Sequence, residues 1–169
     1  MVNRDEADSI ICGTFGEFRW HMNYIKQVLG REAFHPVGAL SMMILEDGPL
    51  FITDTQVHLH PKPEEIAEIA VGAARHVRRF GLTPNIAMCA HSQFGNLQSD
   101  TGDRLRAAIA LLDAMELDFT YEGEMNIDSA LDPELRARIF PGNKMQGAAN
   151  VLIFANADAA SGVRNILKS

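Results

Sequence analysis

Between Pro63 and Phe80 apolar residues return every three or four positions, so Ile66, Ile69, Ala70, Ala73, Val77 and Phe80 share one helical face. Pro63 suits the first helical position, and Glu64 and Glu65 complement the dipole of the first turn. Arg75, Arg78 and Arg79 crowd the last turn before Gly81 closes the helix, and they read as a solvated face. The same rhythm recurs from Ser99 to Leu117, with Leu105, Ala108, Ile109, Leu112 and Met115 inward. Further helices are expected from about Phe18 to Leu29, stopping at Gly30, near Ser129 to Ile139, and from about Asp158 to Leu167.

Short apolar runs fall between these segments. Asp8 to Cys12, Gly38 to Leu45, Leu50 to Thr53, Ile86 to Cys89, Phe119 to Tyr121 and Asn150 to Phe154 read as strands. The Asp47-Gly48 pair makes Glu46 to Pro49 a turn, so the second and third runs form a hairpin. Strands alternating with helices predict an α/β fold, a three-layer αβα sandwich with a mixed, mainly parallel sheet. Ile10, Ile11, Ile86, Met88, Val151 and Ile153 are expected in its central strands. No internal repeat, low-complexity stretch or domain linker stands out, and the 169 residues read as a single lobe.

Composition narrows the function. With 47% hydrophobic and 22% charged residues the chain reads as an ordinary globular protein. No apolar run reaches the ~20 residues of a membrane span. The start Met-Val-Asn-Arg-Asp-Glu is not a signal peptide, so a cytoplasmic location and no membrane partner are expected. A net charge of −7 without a basic stripe argues against nucleic acid. Cys12 and Cys89 lie in apolar runs and read as reduced, mostly buried thiols. Without Cys-x-x-Cys or His-Glu-x-x-His, no metal site is expected; His58 and His60, alternating on one strand face, lack a third ligand.

The candidate site is the stretch from Ile86 to Thr101, a buried strand, a polar Gly-containing loop, and the helix-capping residues Ser99, Asp100 and Thr101. Ligands of open α/β sheets sit at such junctions, where N–H groups and the helix dipole favour anions. His91, Ser92, Gln93, Gly95 and Asn96 are therefore candidate ligand contacts. Ser92 reads equally as a loop-stabilising hydroxyl, Gly95 as a turn requirement, and His91 as a structural histidine. Asp54 follows an apolar strand and either faces the cleft or caps a turn. Asn156, Asp158 and Ser161 mark a second strand-to-helix junction suited to an anion. Glu122, Glu124 and Asp128 form an acidic cluster for which loop and N-cap roles suffice.

Four segments in this order resemble the phosphate acetyl/butyryltransferases: Glu6-Ala-Asp-Ser-Ile-Ile-Cys-Gly13, Leu50 to Ala70, Tyr121-Glu-Gly-Glu-Met-Asn-Ile-Asp-Ser-Ala-Leu131, and Gly147-Ala-Ala-Asn-Val-Leu-Ile-Phe154. Within that family the pattern is most similar to the phosphotransacetylase-like C-terminal domain of bacterial hybrid NADP-dependent malic enzymes. His91-Ser-Gln-Phe-Gly95 resembles their His-Ser-Asn-Phe-Gly, and Tyr24-Ile25 with Val28-Leu29-Gly30 resembles their Tyr-Ile-x-x-Val-Leu-Gly. Phe94 stands where the transferases carry a lysine, and Asn23 where they carry an arginine. Asparagine cannot replace a charged five-donor fork. The transferases' later Ser-Arg motif would fall beyond Ser169.

The resemblance implies one lobe of the phosphotransacetylase and isocitrate-dehydrogenase-like fold, cut from a larger protein whose other transferase lobe and malic enzyme domain lie elsewhere. It implies a regulatory and oligomerisation domain, itself without catalytic residues, that binds acetyl-CoA as an effector near His91 to Asn96 and Asn156 to Ser161. A homodimer is implied as well. NADP and a divalent metal would belong to the parent's malate-oxidising domain, since Gly-x-Gly-x-x-Gly is absent here. The alternatives are a working transferase moving an acyl group between coenzyme A and phosphate, and a ligand-free structural dimerisation module.

Overall fold

The computed structural model describes residues 2–29 and 38–169. The chain divides into two compact units, Met1–His35 and Pro36–Ser169. In the first, a single 3-10 turn, Val2–Arg4, precedes the helix α1, Phe18–Leu29, whose bounds match the expected ones. Its expected stop at Gly30 lies outside the described residues. The expected strand at Asp8 to Cys12 is not formed: Ile10 is 61% and Ile11 99% exposed, and Cys12 is exposed rather than buried. A strand exists only through its ladder, and an apolar run this short does not by its pattern guarantee one.

The second unit holds a five-stranded sheet in the order β1-β2-β5-β3-β4, with β1 Ser41–Leu45, β2 Gly48–Thr53, β3 Asn85–Cys89, β4 Thr120–Met125 and β5 Val151–Phe154. β1 and β2 form the expected antiparallel hairpin, with Leu45 opposite Gly48 and the turn at Glu46 and Asp47. Gly48, at φ +121, supplies the backbone conformation that ends this turn. The pairs β2 with β5, β5 with β3, and β3 with β4 are parallel.

The three inner strands send alternate residues into two separate cores. Phe51, Ile86, Met88, Val151 and Ile153 pack against Ile66, Ala70, Ala73 and Val77 of α2, Pro63–Arg79, and Leu105, Ala108 and Leu112 of α3, Asp100–Asp113. Ile52, Ala87, Cys89, Leu152 and Phe154 face the other way, toward Ala130 of α4, Ile127–Leu131, and Ala160 of α6, Ala157–Ile166. This is the expected αβα sandwich. Because both faces are covered, β3 and β5 read as near-continuous apolar runs.

The helix expected from Ser129 to Ile139 is two helices, α4 and α5, Pro133–Ile139. Pro133 disfavours a helical conformation at Asp132, which is extended at φ −108 and ψ 103. Asp132 instead caps α5, accepting from the Glu134 and Leu135 N–H groups. Two expected inward residues also differ. Phe80, beyond the last turn of α2, is largely exposed, although its ring lies 5.6 Å from that of Phe51. Met115 lies past the end of α3 and is exposed too.

The sheet's second core is closed by a buried arginine. Arg136 is 1% exposed, and its guanidinium donates to the carbonyls of Ser129, Ala130, Met145 and Gly147 and to Asn143 Oδ1, at 2.7–3.4 Å. Burial pulls its pKa below the ordinary arginine value. These bonds pin the segment between α5 and β5 beneath α4. Arg136→Met should therefore lower unfolding free energy by about 3 kcal/mol in urea titrations, since it strips several buried carbonyls of a charged donor.

Candidate functional site

β3 and β5 lie side by side and parallel, so both chains leave the sheet at one edge. The helix after β3 packs on one face of the sheet, and the helix after β5 on the other. Connections that diverge in this way leave a crevice at the strands' C-terminal ends. A cleft of about 640 Å³ occupies it, lined by both strand ends, the first turn of α3, the start of α4 and one side of α6.

Of the expected ligand residues, His91, Asn156 and Asp158 line this cleft. Thr101, Asn126, Ile127, Phe154, Ala159, Gly162, Val163 and Ile166 line it as well. Cys89 contributes a thiol at its floor, and burial pushes that thiol's pKa far up, so it stays protonated and poorly nucleophilic. Asn156 caps α6 by accepting from the Ala159 N–H at 2.8 Å, and Asp158 lies in the same first turn.

Ser92, Gln93, Gly95 and Asn96 sit beside the cleft in a loop that satisfies itself. Ser92 is buried, and its Oγ donates to Glu124 Oε1 at 2.8 Å. The Gly95 N–H donates to the same oxygen at 3.1 Å, and the Phe94 N–H to the Glu124 carbonyl at 2.7 Å. Gln93 N–H donates to Asn96 Oδ1 at 2.8 Å, and Asn96 N–H returns to the Gln93 carbonyl at 3.0 Å. Gly95 adopts φ +81, as a tight turn requires. Asn126, with its amide oriented to suit its neighbours, donates to the carbonyls of Ala90 and His91 and accepts from Gln93 Nε2. Ser161 is half-buried on α6 and is not among the cleft-lining residues.

Glu124 does more than the loop or N-cap role expected of the acidic cluster. It lies within β4, not in a loop, and it is 0% exposed. Besides Ser92 and Gly95, it accepts from Arg106 Nη1 of α3 at 2.6 Å. That bond raises the Arg106 pKa, and a second ion pair joins Arg106 to Asp103. Glu122, buried on the same strand, accepts the Lys144 N–H at 2.9 Å. The pairing joins residues 18 apart on different elements, and no local pattern in the sequence marks it.

Asp54 resolves as a turn cap. It is 1% exposed; Oδ1 accepts from the N–H groups of Ala39, Gln56 and Val57, and Oδ2 from the His58 N–H and Nδ1. It folds the loop after β2 and does not line the cleft. His58 is therefore half-buried against a carboxylate, and it stands in a loop, not on a strand face. Among the described residues no group of three or more His, Cys, Asp or Glu is placed to hold a metal ion. No helix among them is long and apolar enough to cross a membrane.

The whole chain, residues 1–169, matches the family model for phosphate acetyl/butaryl transferase. The chain belongs to that family. It is 40% identical over 99% of its length to an NADP-dependent malic enzyme of Salmonella typhimurium and to an NAD-dependent malic enzyme of Rhizobium meliloti. It spans only 22% of each. The crystal structure of a phosphotransacetylase from Streptococcus pyogenes superposes with a TM-score of 0.90 at 24% identity, covering 99% of this chain and 52% of that one. This likeness carries the fold, and the sequence matches carry the relation to malic enzymes.

Gly102 and Asp54 give the site's stability tests. A Cβ at Gly102 would meet the Ser92 Oγ at 2.8 Å and Arg106 Nη1 at 3.1 Å. Gly102→Ala should thus destabilise by about 1–2 kcal/mol, because the clash outweighs the ~1 kcal/mol helical advantage of alanine. For Asp54, burial works to raise the pKa, but the bonds from His58, Gln56, Val57 and Ala39 outweigh it and hold the carboxyl below 3.8. A depressed native pKa stabilises fully above the unfolded value and loses that stabilisation as pH falls through the native one. Asp54→Asn should therefore cost most stability at neutral pH. The gap between variant and parent should close as urea midpoints are followed below about pH 4.

Proposed function

We propose that this chain is a regulatory and assembly lobe of a malic enzyme, keeping the transferase fold and an acyl-CoA cleft but not transferase chemistry. The observation that carries this reading is the loop from His91 to Asn96. Where the resemblance would put a lysine stands Phe94, stacked on Phe140 with ring centroids 4.3 Å apart. Its N–H and that of Gly95 are spent on Glu124. A phosphoryl group arriving there would find neither a cation nor unspent N–H donors at these positions, and phosphoryl and acyl-phosphate chemistry depends on both. Asn23, exposed on α1, gives no charge in place of the transferases' arginine.

Acetyl-CoA is the proposed effector, and a homodimer the proposed assembly. The parent would oxidise and decarboxylate malate to pyruvate, with its nicotinamide nucleotide and divalent metal held by another domain. Regulation then requires that acetyl-CoA bind two states of the parent with different affinity, since equal affinity shifts nothing. A transferase reading is favoured by the family match and by the likeness to phosphotransacetylases. In that case the purified chain would make acetyl phosphate from acetyl-CoA and phosphate.

Calorimetric titration of the chain with acetyl-CoA should show binding, and a coupled assay should detect no acetyl phosphate. Gly162 lines the cleft, and a Cβ there meets nothing within 4 Å. Gly162→Trp should weaken acetyl-CoA at least about tenfold while leaving the unfolding midpoint within a few degrees. A silent titration of the native chain would reduce it to a structural module, and acetyl phosphate formation would make it a transferase.

A further inference from the structure

We infer that Asp47 and Gly48, at the tip of the β1–β2 hairpin, form a self-modification site where the folded chain isomerises to an isoaspartyl linkage. This goes beyond the regulatory reading and does not depend on what the cleft binds.

The reaction is intramolecular and needs only water. The backbone nitrogen of Gly48 attacks Cγ of the Asp47 carboxyl. A C–N bond forms, a C–O bond breaks, and the departing hydroxyl leaves with the N–H proton as water. The product is a cyclic succinimide, to which water then adds at either carbonyl. Addition at Cγ breaks the new bond and restores aspartate. Addition at the main-chain carbonyl breaks the original peptide bond, so that the chain continues through Cγ and a free α-carboxylate is left behind. One water leaves and one returns, and nothing is oxidised or reduced.

The structure singles out this place. Asp47-Gly48 is the only aspartate or asparagine followed by glycine in the sequence. A side chain on residue 48 would crowd the attacking nitrogen; glycine has none, and the space that a Cβ would occupy is open. Asp47 is exposed in the turn, and its carboxylate has no hydrogen-bond or ion-pair partner among the described residues. Other aspartates are held. Asp54 is buried under five donors, and Asp103 and Asp118 are paired with Arg106 and Arg78. Asp128 Oδ1 accepts at 2.7 Å from the Ser129 N–H, the group that would have to attack it. Asp132 is followed by proline, whose nitrogen carries no proton.

The turn also lies where opening costs little, because β1 is an edge strand paired only with β2. An isoaspartyl link adds a methylene to the backbone of a two-residue connection, so Leu45 no longer fits opposite Gly48. Met43 and Leu45, which pack against the second core, lie at the end of the ladder that loosens. At the far end the Thr55 N–H bonds the Ala39 carbonyl, and the Ser41 and Thr55 hydroxyls bond each other, so the hairpin stays closed there.

The test follows the folded 169-residue chain through prolonged warm incubation near neutral pH, with peptide mapping for isoaspartate. Asp8, exposed and followed by serine, is the internal reference. Isoaspartate should build at residue 47 several times faster than at residue 8, through an intermediate lighter by one water. Asp47→Glu needs a larger ring and should lose the reaction, with its unfolding midpoint unchanged because the Asp47 carboxylate holds nothing. Hydrogen exchange should show protection lost at Met43 to Leu45 in the aged chain and kept in aged Asp47→Glu. The inference is overturned if residue 47 isomerises in urea but not in the folded chain, or if residue 8 keeps pace with it. It is equally overturned if the isomerised chain keeps its protection at Met43 to Leu45, or if Asp47→Glu loses protection on ageing to the same extent.

Discussion

A carboxylate withdrawn from water has to be gripped by donors from several directions, and at Glu124 this requirement organises one end of the sheet. Its Oε1 collects Ser92 and Gly95 from the loop after β3 and Arg106 from α3, while its backbone carbonyl holds Phe94. One side chain on an edge strand thereby ties together a strand, a loop and a helix. The loop cannot move without leaving a buried charge less well paired, which is costly. Close approach is part of the device: a helix residue with any side chain at 102 would displace Ser92 from its bond. Glu124 Oε2 remains buried without a partner, so the grip is asymmetric, concentrated on the oxygen that faces the loop.

The same economy appears at the other polar centres. Asp54 gathers five donors and fixes the loop leaving β2, and Arg136 gathers carbonyls and fixes the loop entering β5. Neither residue lines the cleft, yet each holds a connection beside a strand whose position the cleft depends on. Hydrophobic burial decides that there is a sandwich, since apolar area returns roughly 25 cal/mol per Å² wherever it is hidden. It does not decide where a loop turns. That is settled by polar groups with no alternative partner.

This division explains which parts of the molecule were legible in the residues alone. α2, α3 and α6 could be read because periodicity and caps are local: Pro63, Ser99 and Asn156 each stand within a few residues of what they do. The alternation of β3 and β5 between two cores was implicit in their unbroken apolar runs. Asp8 to Cys12 misled for the converse reason, since an apolar run says nothing about whether a ladder partner exists. The break at Asp132 is written in the Pro133 that follows it, against a helical rhythm that runs through both segments. At the site, the cleft's place at the strand ends followed from topology. The roles of Ser92 and Asp54 did not, because Ser92 answers to Glu124, 32 residues away, and Asp54 to N–H groups on both sides of its strand.

What separates an anion cradle from a neutral cleft on this framework is a small number of hydrogen-bond assignments. A strand, a turn and a helix N-terminus present the same backbone in either case, and the fold alone does not say which ligand is taken. Here Asn96, Glu124 and Asn156 accept the N–H groups of Gln93, Gly95 and Ala159, and Asp158 lies in the first turn of α6. Each substitution for an external anion is intramolecular and costs little ordering when the lobe is already folded. The donors of this junction that the structure pairs are therefore engaged within the lobe.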